Sequence, residues 1–427
     1  MEDKVVAKIV KLMDDKEHIR NIGTSAHIHH GKTAFSDNLI AAAGMMSQTL
    51  AGEALVLNFR QDEIDRCMTI DSANVSMVHI QNGQEYLVNL IDTPGHVDFG
   101  GDVTRAMRAI DGTVLLVCAS EGIMPQTETV LRQALRERVK PVLFINKVDR
   151  LITELKMTPD KIQERFIKII TQVNQLIREI AETDYGEKWQ VNVADGSVTF
   201  GSARENWALS IPYMKKKGVS FKDIIDIYTG FEGKEREEKL FQKAPLFEVI
   251  MDMVVKHMPS PTEAQKYRIP KIWHGEHESE LGKALLTCDP NGKPSFVITK
   301  IVIEPQVGEV AYGRLYSGTI TRGMEMYLNR AKQKQRVQQI FIANGAKREL
   351  VERVTSGNIL GIVGLKAWVG ETLTVEPDTP FEEITHIFDP VISKSIEPSR
   401  PSDLPKLIEI LRKVSKEDPT IKVEINE

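Results

Sequence analysis

The sequence predicts an α/β domain on a mostly parallel sheet with helices on both faces, then an all-β barrel, then the first half of another α/β unit. Three observations support this. From residue 19 to 150, apolar runs of strand length alternate with helix-like segments, and strands apolar on both sides need cover on both sides. After Asp289-Pro290 come short runs rich in Val, Ile and Tyr between glycines, the pattern of a small barrel. From residue 391 the order is strand, helix, strand.

In chain order, residues 19–25 read as a short strand and 33–43 as a helix stopped by Gly44. Residues 86–91, 113–119 and 141–145 are the next strands, each trailed by a polar loop and a helical segment. Thr158-Pro159 opens a helix as N-cap and first-turn proline. Ile162, Phe166, Ile169, Val173, Leu176 and Ile180 give that helix one apolar stripe. Residues 155–200 and 210–260 read as helical elaborations around a short strand at 198–200. Barrel strands fall at 295–303, 309–317, 324–328, 335–342 and 358–363. The tail places strands at 391–396 and 420–425 around a helix at 401–416. The domain limits that follow are 1–270, with an insertion at 155–260, then 271–385 and 386–427. A βαβ unit ending there has one open edge, which predicts a chain cut short.

Composition bounds the function. The 427 residues allow about three domains, and 41% apolar with 27% charged residues describes an ordinary globular chain. Cys67, Cys118 and Cys288 lie far apart without CxxC spacing. That gives neither a disulfide framework nor a cysteine zinc site and predicts a reducing, cytoplasmic setting. The longest apolar runs, such as residues 113–118, are too short to cross a bilayer, and the N-terminal segment has no cleavable apolar block. No membrane association is expected. With a net charge of −5 the chain is no polycation, so no DNA binding is expected, while a local patch for nucleic acid stays open.

The stretch Ala26-His27-Ile28-His29-His30-Gly31-Lys32-Thr33 sits between a strand and a helix. It fits the phosphate-loop pattern GxxxxGK[ST], with alanine at the first position. Backbone N–H groups of such a loop wrap phosphates at a helix N-terminus; Lys32 would reach the β- and γ-phosphates and the Thr33 hydroxyl would bind Mg²⁺. Three histidines also raise a zinc reading. However, four consecutive residues rarely put three imidazoles around one ion, and no carboxylate or cysteine completes the set. Asp92-Thr93-Pro94-Gly95 follows the 86–91 strand. Its carboxylate can hold Mg²⁺ through water and its glycine N–H can bond the γ-phosphate, although alone it would be a good turn. Asn146-Lys147-Val148-Asp149 follows the 141–145 strand. A carboxylate at Asp149 can accept from N1–H and the 2-amino group of guanine, and adenine offers neither. Asn146 can bond N7 and brace the phosphate loop, while the Lys147 stem covers the base. Gly201-Ser202-Ala203, after the 198–200 strand, would send a backbone N–H to O6. In this order the four segments predict a domain that binds GTP and GDP.

Six stretches together, NIGTSAHIHHGKT, DTPGHVDF, EGIMPQTETVLRQA, FINKVDR, FGSARENWA and GRLYSGTITRG, resemble the elongation factor 2 family of translational GTPases, in its archaeal type. The resemblance runs nearly end to end. It implies a P-loop GTPase domain with a helical insertion, a β-barrel second domain and the first half of a ferredoxin-like third domain. It further implies Mg²⁺-dependent hydrolysis of GTP, stimulated by the ribosome through its RNA and proteins, by a cytoplasmic factor monomeric off the ribosome. Full-length members promote ribosomal translocation. The family's fourth and fifth domains have no counterpart in this sequence, and the fourth carries the tip that enters the decoding site, so this stretch by itself should not translocate. Carried over by resemblance, His96 would orient the attacking water and Thr69 would close over Mg²⁺ and the γ-phosphate. Ile28 and Met68 would flank the path of His96, and Arg66 also matches. Residues 308–323 resemble the barrel segment that docks on the small ribosomal subunit.

The departures are specific. The family reads AHIDHGKT, so His29 stands where an aspartate would help hold a monovalent cation beside the β–γ bridge. A histidine facing a triphosphate tends to protonate. Cys67 replaces a glycine where switch I must refold, Arg60 stands for an acid, and Ala34, after the Mg²⁺ threonine, loses one side-chain contact. Two readings follow. The first is an elongation GTPase, favoured by Thr69, Asp92 and His96. The second is a GTP-binding, ribosome-associated factor with impaired hydrolysis, favoured by His29, Arg60 and Cys67.

Overall fold

A computed structural model describes residues 2–43, 73–93, 100–304, 307–344, 347–384, 393–417 and 421–424. The chain divides into two compact units: Met1–Val97, Ile110–Ala264 and Ala343–Arg348 in the first, and Asp98–Ala109, Gln265–Ile342 and Glu349–Glu427 in the second.

The first unit carries strands β1 (Ile19–Ala26), β2 (Ala73–Gln81), β3 (Gln84–Asp92), β4 (Gly112–Cys118), β5 (Lys140–Asn146), β6 (Val198–Ser202) and β7 (Trp207–Leu209). They lie in the order β2-β3-β1-β4-β5-β6-β7. The ladders from β3 through β1, β4 and β5 to β6 are parallel, and the outer pairs β2/β3 and β6/β7 are antiparallel. Every residue of β4 is buried, as a central strand covered on both faces requires. The β2–β3 hairpin is missing from the sequence reading. Its signal was present, because Asn82 (φ 51°) and Gly83 (φ 82°) form the two-residue loop that left-handed backbone favours. Helix Lys32–Ala42 begins one residue before the expected start, and Gly44 lies outside the described residues. Helix Pro159–Ile180 buries Ile162, Ile169, Val173 and Ile177, while Phe166, Leu176 and Ile180 of the expected stripe are half-buried.

Among the described residues ten further strands follow: β8 (Ser295–Glu304), β9 (Gly308–Ser317), β10 (Thr319–Thr321), β11 (Glu325–Leu328), β12 (Gln333–Arg336), β13 (Gln339–Asn344), β14 (Lys347–Val351), β15 (Arg353–Thr355), β16 (Ile359–Val363) and β17 (Thr372–Thr374). Antiparallel pairing in the order β12-β11-β17-β8-β9-β16-β13 makes the half-barrel. The single strand expected at 335–342 is instead two. The N–H of Val337 bonds Met324 O at 2.9 Å, whereas that of Gln338 bonds Val363 O at 3.0 Å. The chain therefore changes partner between them. Ile269, Trp273, Leu281, Val297, Tyr316 and Phe381 form a core cluster in this unit. Helix Gly100–Ala109 belongs here too, and its last carbonyls are capped by buried side chains. Arg268 donates to Met107 O (2.9 Å), Tyr316 to Arg108 O (2.5 Å) and Arg314 to Ala109 O (2.8 Å). Positive charge is favoured at that end of a helix.

The tail contains the expected helix, at Leu404–Glu417, with no residue fully buried. Residues 393–396 and 421–424, the described parts of the two expected strands, form no ladder. Two strands around one helix bury too little apolar surface to hold a sheet. Among the described residues no helix is long and apolar enough to cross a membrane.

Candidate nucleotide site

The parallel strands β1, β3 and β5 all end at one edge of the sheet, and the loops leaving them converge there. Gly31 caps helix Lys32–Ala42 with φ 90°. A Cβ at Gly31 would lie 2.4 Å from Asn146 Nδ2, so only glycine permits both the turn and the neighbour. Asn146 Nδ2 donates to His30 O at 2.7 Å, and Asn146 Oδ1 accepts from the Ala203 N–H at 2.8 Å. One buried amide thus joins the phosphate loop to the Ser202-Ala203 loop, which is the bracing expected of it. Asn38, unforeseen, adds a bond from Nδ2 to Ala203 O at 2.8 Å.

At the end of β3, Asp92 is fully buried. Its Oδ2 pairs with Lys32 Nζ at 2.9 Å, and its Oδ1 accepts from Thr24 Oγ1 (2.6 Å) and Ser36 Oγ (2.8 Å). Thr93 Oγ1 donates to Thr24 O at 2.6 Å. Thr24 and Ser36 were also not anticipated, although Ser36 lies one helical turn beyond Lys32, on the same face.

The three histidines part company. His30 is fully buried, and the Cys118 N–H donates to its Nδ1 at 3.3 Å. The same Nδ1 lies 3.4 Å from Leu116 O, to which the other tautomer would donate, and Nε2 lies 3.2 Å from Glu121 Oε2. Burial pushes the His30 imidazole down to about 4. The His27 ring meets His30 edge-on, with centroids 5.0 Å apart. His29 is exposed with φ 62°. Among the described residues no group of three or more His, Cys, Asp or Glu side chains converges as a metal site. Ala26 ends β1 and is buried, while Ile28, Thr33 and Ala34 are half-buried.

At the opposite end, Lys147 turns the chain with φ 62° into helix Val148–Thr153. Its Cε lies 3.9 Å from where a Gly31 Cβ would be, so the stem runs along the phosphate loop. Asp149 follows, and its Oδ1 is buried with no hydrogen-bond partner. A buried carboxylate oxygen left unbonded is costly. It fits a donor supplied from outside the protein, such as N1–H or the 2-amino group of guanine. The hydroxyl of Thr33 and the carboxylate of Asp92 are hard oxygen donors of the kind Mg²⁺ takes. Thr69, Pro94, Gly95 and His96, like Arg60, Arg66, Cys67 and Met68, lie outside the described residues.

Comparisons with known proteins match three stretches of the chain. Residues 17–260 match the elongation factor Tu GTP binding domain, residues 308–374 elongation factor Tu domain 2, and residues 387–427 elongation factor G, domain III. The chain is 59% identical to elongation factor 2 of Methanocaldococcus jannaschii over 99% of its length and 58% of that relative. It is 57% identical to elongation factor 2 of Thermococcus kodakarensis over 100% of its length and 58% of that relative. It therefore spans a little under three-fifths of the length of these curated relatives. On these matches the chain belongs to the family of translation factors built on the elongation factor Tu GTP-binding domain, and it is similar over its whole length to the N-terminal portion of elongation factor 2.

Proposed function

We propose that this chain is the nucleotide-binding portion of a translation elongation factor, that it binds GTP and GDP with Mg²⁺ and hydrolyses GTP when stimulated by the ribosome, and that in its full-length context it promotes translocation. The observation that carries the guanine reading is the unbonded, buried Asp149 Oδ1 beside the Asn146 brace. Asp149 accepts from the N1 and N2 side of the base, the Ala203 N–H meets O6, and the Lys147 stem covers one face. Lys32 leaves Asp92 for the β- and γ-phosphates, and backbone N–H groups of residues 28–33 surround them. Thr33, Thr69 and Asp92 hold Mg²⁺, which when bound offsets charge on the phosphate oxygens. His96 orients the attacking water. Positioning and charge neutralisation supply most of the rate. The expected partners are ribosomal RNA and proteins, with no membrane or DNA role, for a cytoplasmic factor monomeric off the ribosome.

Impaired hydrolysis, the other reading, gains no support from the family match. Multiple-turnover GTP hydrolysis, with and without ribosomes, on wild type and His29→Asp separates the two. Ribosome-stimulated turnover in the wild type, unchanged by His29→Asp, is expected. A wild type that binds GTP yet turns over only as His29→Asp would overturn it in favour of the impaired factor.

A further inference from the structure

Two residues past the base-edge Ala203, the chain buries a charge that the nucleotide chemistry above does not use. Glu205 is 8% exposed. Its backbone N–H donates to Ser202 Oγ at 3.2 Å, closing the loop on itself. One carboxylate oxygen accepts from Arg236 Nη2 at 2.8 Å, and the other accepts from the Tyr228 hydroxyl. Tyr228 in turn accepts from Trp207 Nε1 at 3.0 Å, and the Arg236 guanidinium lies over the Tyr228 ring, 5.1 Å from its centroid. Tyr228 and Arg236 sit on two consecutive insertion helices, Phe221–Gly230 and Gly233–Lys243. The first of these also packs on helix Val148–Thr153, which carries Asp149.

We propose that Glu205 is a positioning residue for base recognition: gripped by Tyr228 and Arg236, it fixes the loop whose Ala203 N–H reads the purine 6-oxygen. This rests on the guanine site proposed above. Asn146 and Asn38 hold the Ala203 peptide on the phosphate-loop side. The far end of the loop returns to the sheet where Ser202 pairs with Trp207, with Asn206 O accepting from the Leu246 N–H at 3.3 Å. Between these ends Glu205 adds a side-chain restraint through a charge-assisted bond on each carboxylate oxygen. The helical insertion is thereby wired into base specificity. Burial pushes the Glu205 carboxyl up, the Tyr228 and Arg236 bonds pull it down, and the nearby Asp149 carboxylate raises it again. Arg236 therefore also balances a second anion next to the one that must accept from guanine.

The test is a cycle between protein and base on the full chain. GDP, IDP (which keeps O6 and N1–H and lacks the 2-amino group) and 2-aminopurine riboside diphosphate (which lacks O6 and, with it, the N1 proton) are titrated into wild type, Glu205→Ala and Glu205→Gln. For Glu205→Ala, GDP and IDP should weaken by the same factor, about ten-fold for one lost hydrogen bond. The 2-aminopurine nucleotide should lose nothing further, because the contact is already missing. Glu205→Gln, which keeps an acceptor and the side-chain shape, should regain most of the loss and serves if the alanine variant does not fold. Equal weakening of all three nucleotides, or none, in a variant that folds would overturn the positioning role. A wild type that does not prefer GDP to the 2-aminopurine nucleotide would instead overturn the guanine site itself.

Discussion

At the base end of the cradle, Asn146 uses one Nδ2 donor and its Oδ1 on two backbone groups, while Asp149 keeps a buried oxygen unbonded. At the phosphate end, Lys32 and Asp92 are bonded to each other, and Thr24 and Ser36 occupy the other oxygen of Asp92. The two ends therefore meet a ligand differently. The base end is preorganised, so guanine donors replace nothing in the protein. The phosphate end must exchange an internal ion pair for an external anion, which offsets part of the phosphate attraction. Discrimination between nucleotides should then reside at the base end, and coupling between binding and stability at the phosphate end.

The strongest way to break this comparison is to remove the ion pair. Lys32→Ala leaves the buried Asp92 carboxylate without its ammonium partner, and should lower the unfolding free energy of the nucleotide-free protein by about 4 kcal/mol. Chemical denaturation measures it, and a loss under about 1 kcal/mol would mean the pair does not hold the phosphate end. Next comes pH. His30 has a folded value of about 4 against an ordinary 6.5, so the unfolded chain binds more protons between them. Its contribution is full above pH 6.5 and lost as pH falls toward 4, by up to about 3 kcal/mol. Denaturation of wild type and His30→Asn across that range should give a steeper fall for wild type; parallel curves would contradict it. Smaller again, Asn146→Ala leaves His30 O and the Ala203 N–H without their partner and should cost about 2 kcal/mol, with guanine affinity falling alongside. Unchanged affinity in that variant would separate the brace from the base site.

Much of the base end was legible in the sequence because Asn146, Lys147 and Asp149 follow a buried strand at a spacing that chemistry dictates. Asp92, at the end of β3, and Lys32, at the start of its helix, were legible as motif residues. Thr24, Ser36, Asn38 and Glu205 were not. Each is a polar residue inside or beside a regular element, and only the tertiary fold determines which group it meets. The Asn82-Gly83 hairpin was readable from its turn dipeptide. The split of β12 from β13 was not, since a change of strand partner leaves the alternation of residues intact. Of the tail strands expected at 391–396 and 420–425, the described parts 393–396 and 421–424 form no ladder, and the rest lies outside the described residues.

The most direct test of base-end recognition is competitive binding of GDP and xanthosine diphosphate to wild type and Asp149→Asn. Xanthine carries a 2-oxo group where guanine carries the 2-amino group, so an amide at residue 149 can donate to it where the carboxylate cannot. Wild type should prefer GDP by on the order of a hundred-fold, because the 2-oxo group removes one charge-assisted bond and sets a carbonyl oxygen against the carboxylate, and Asp149→Asn should prefer xanthosine diphosphate. An unchanged order of preference in the variant would contradict the placement of guanine against Asp149.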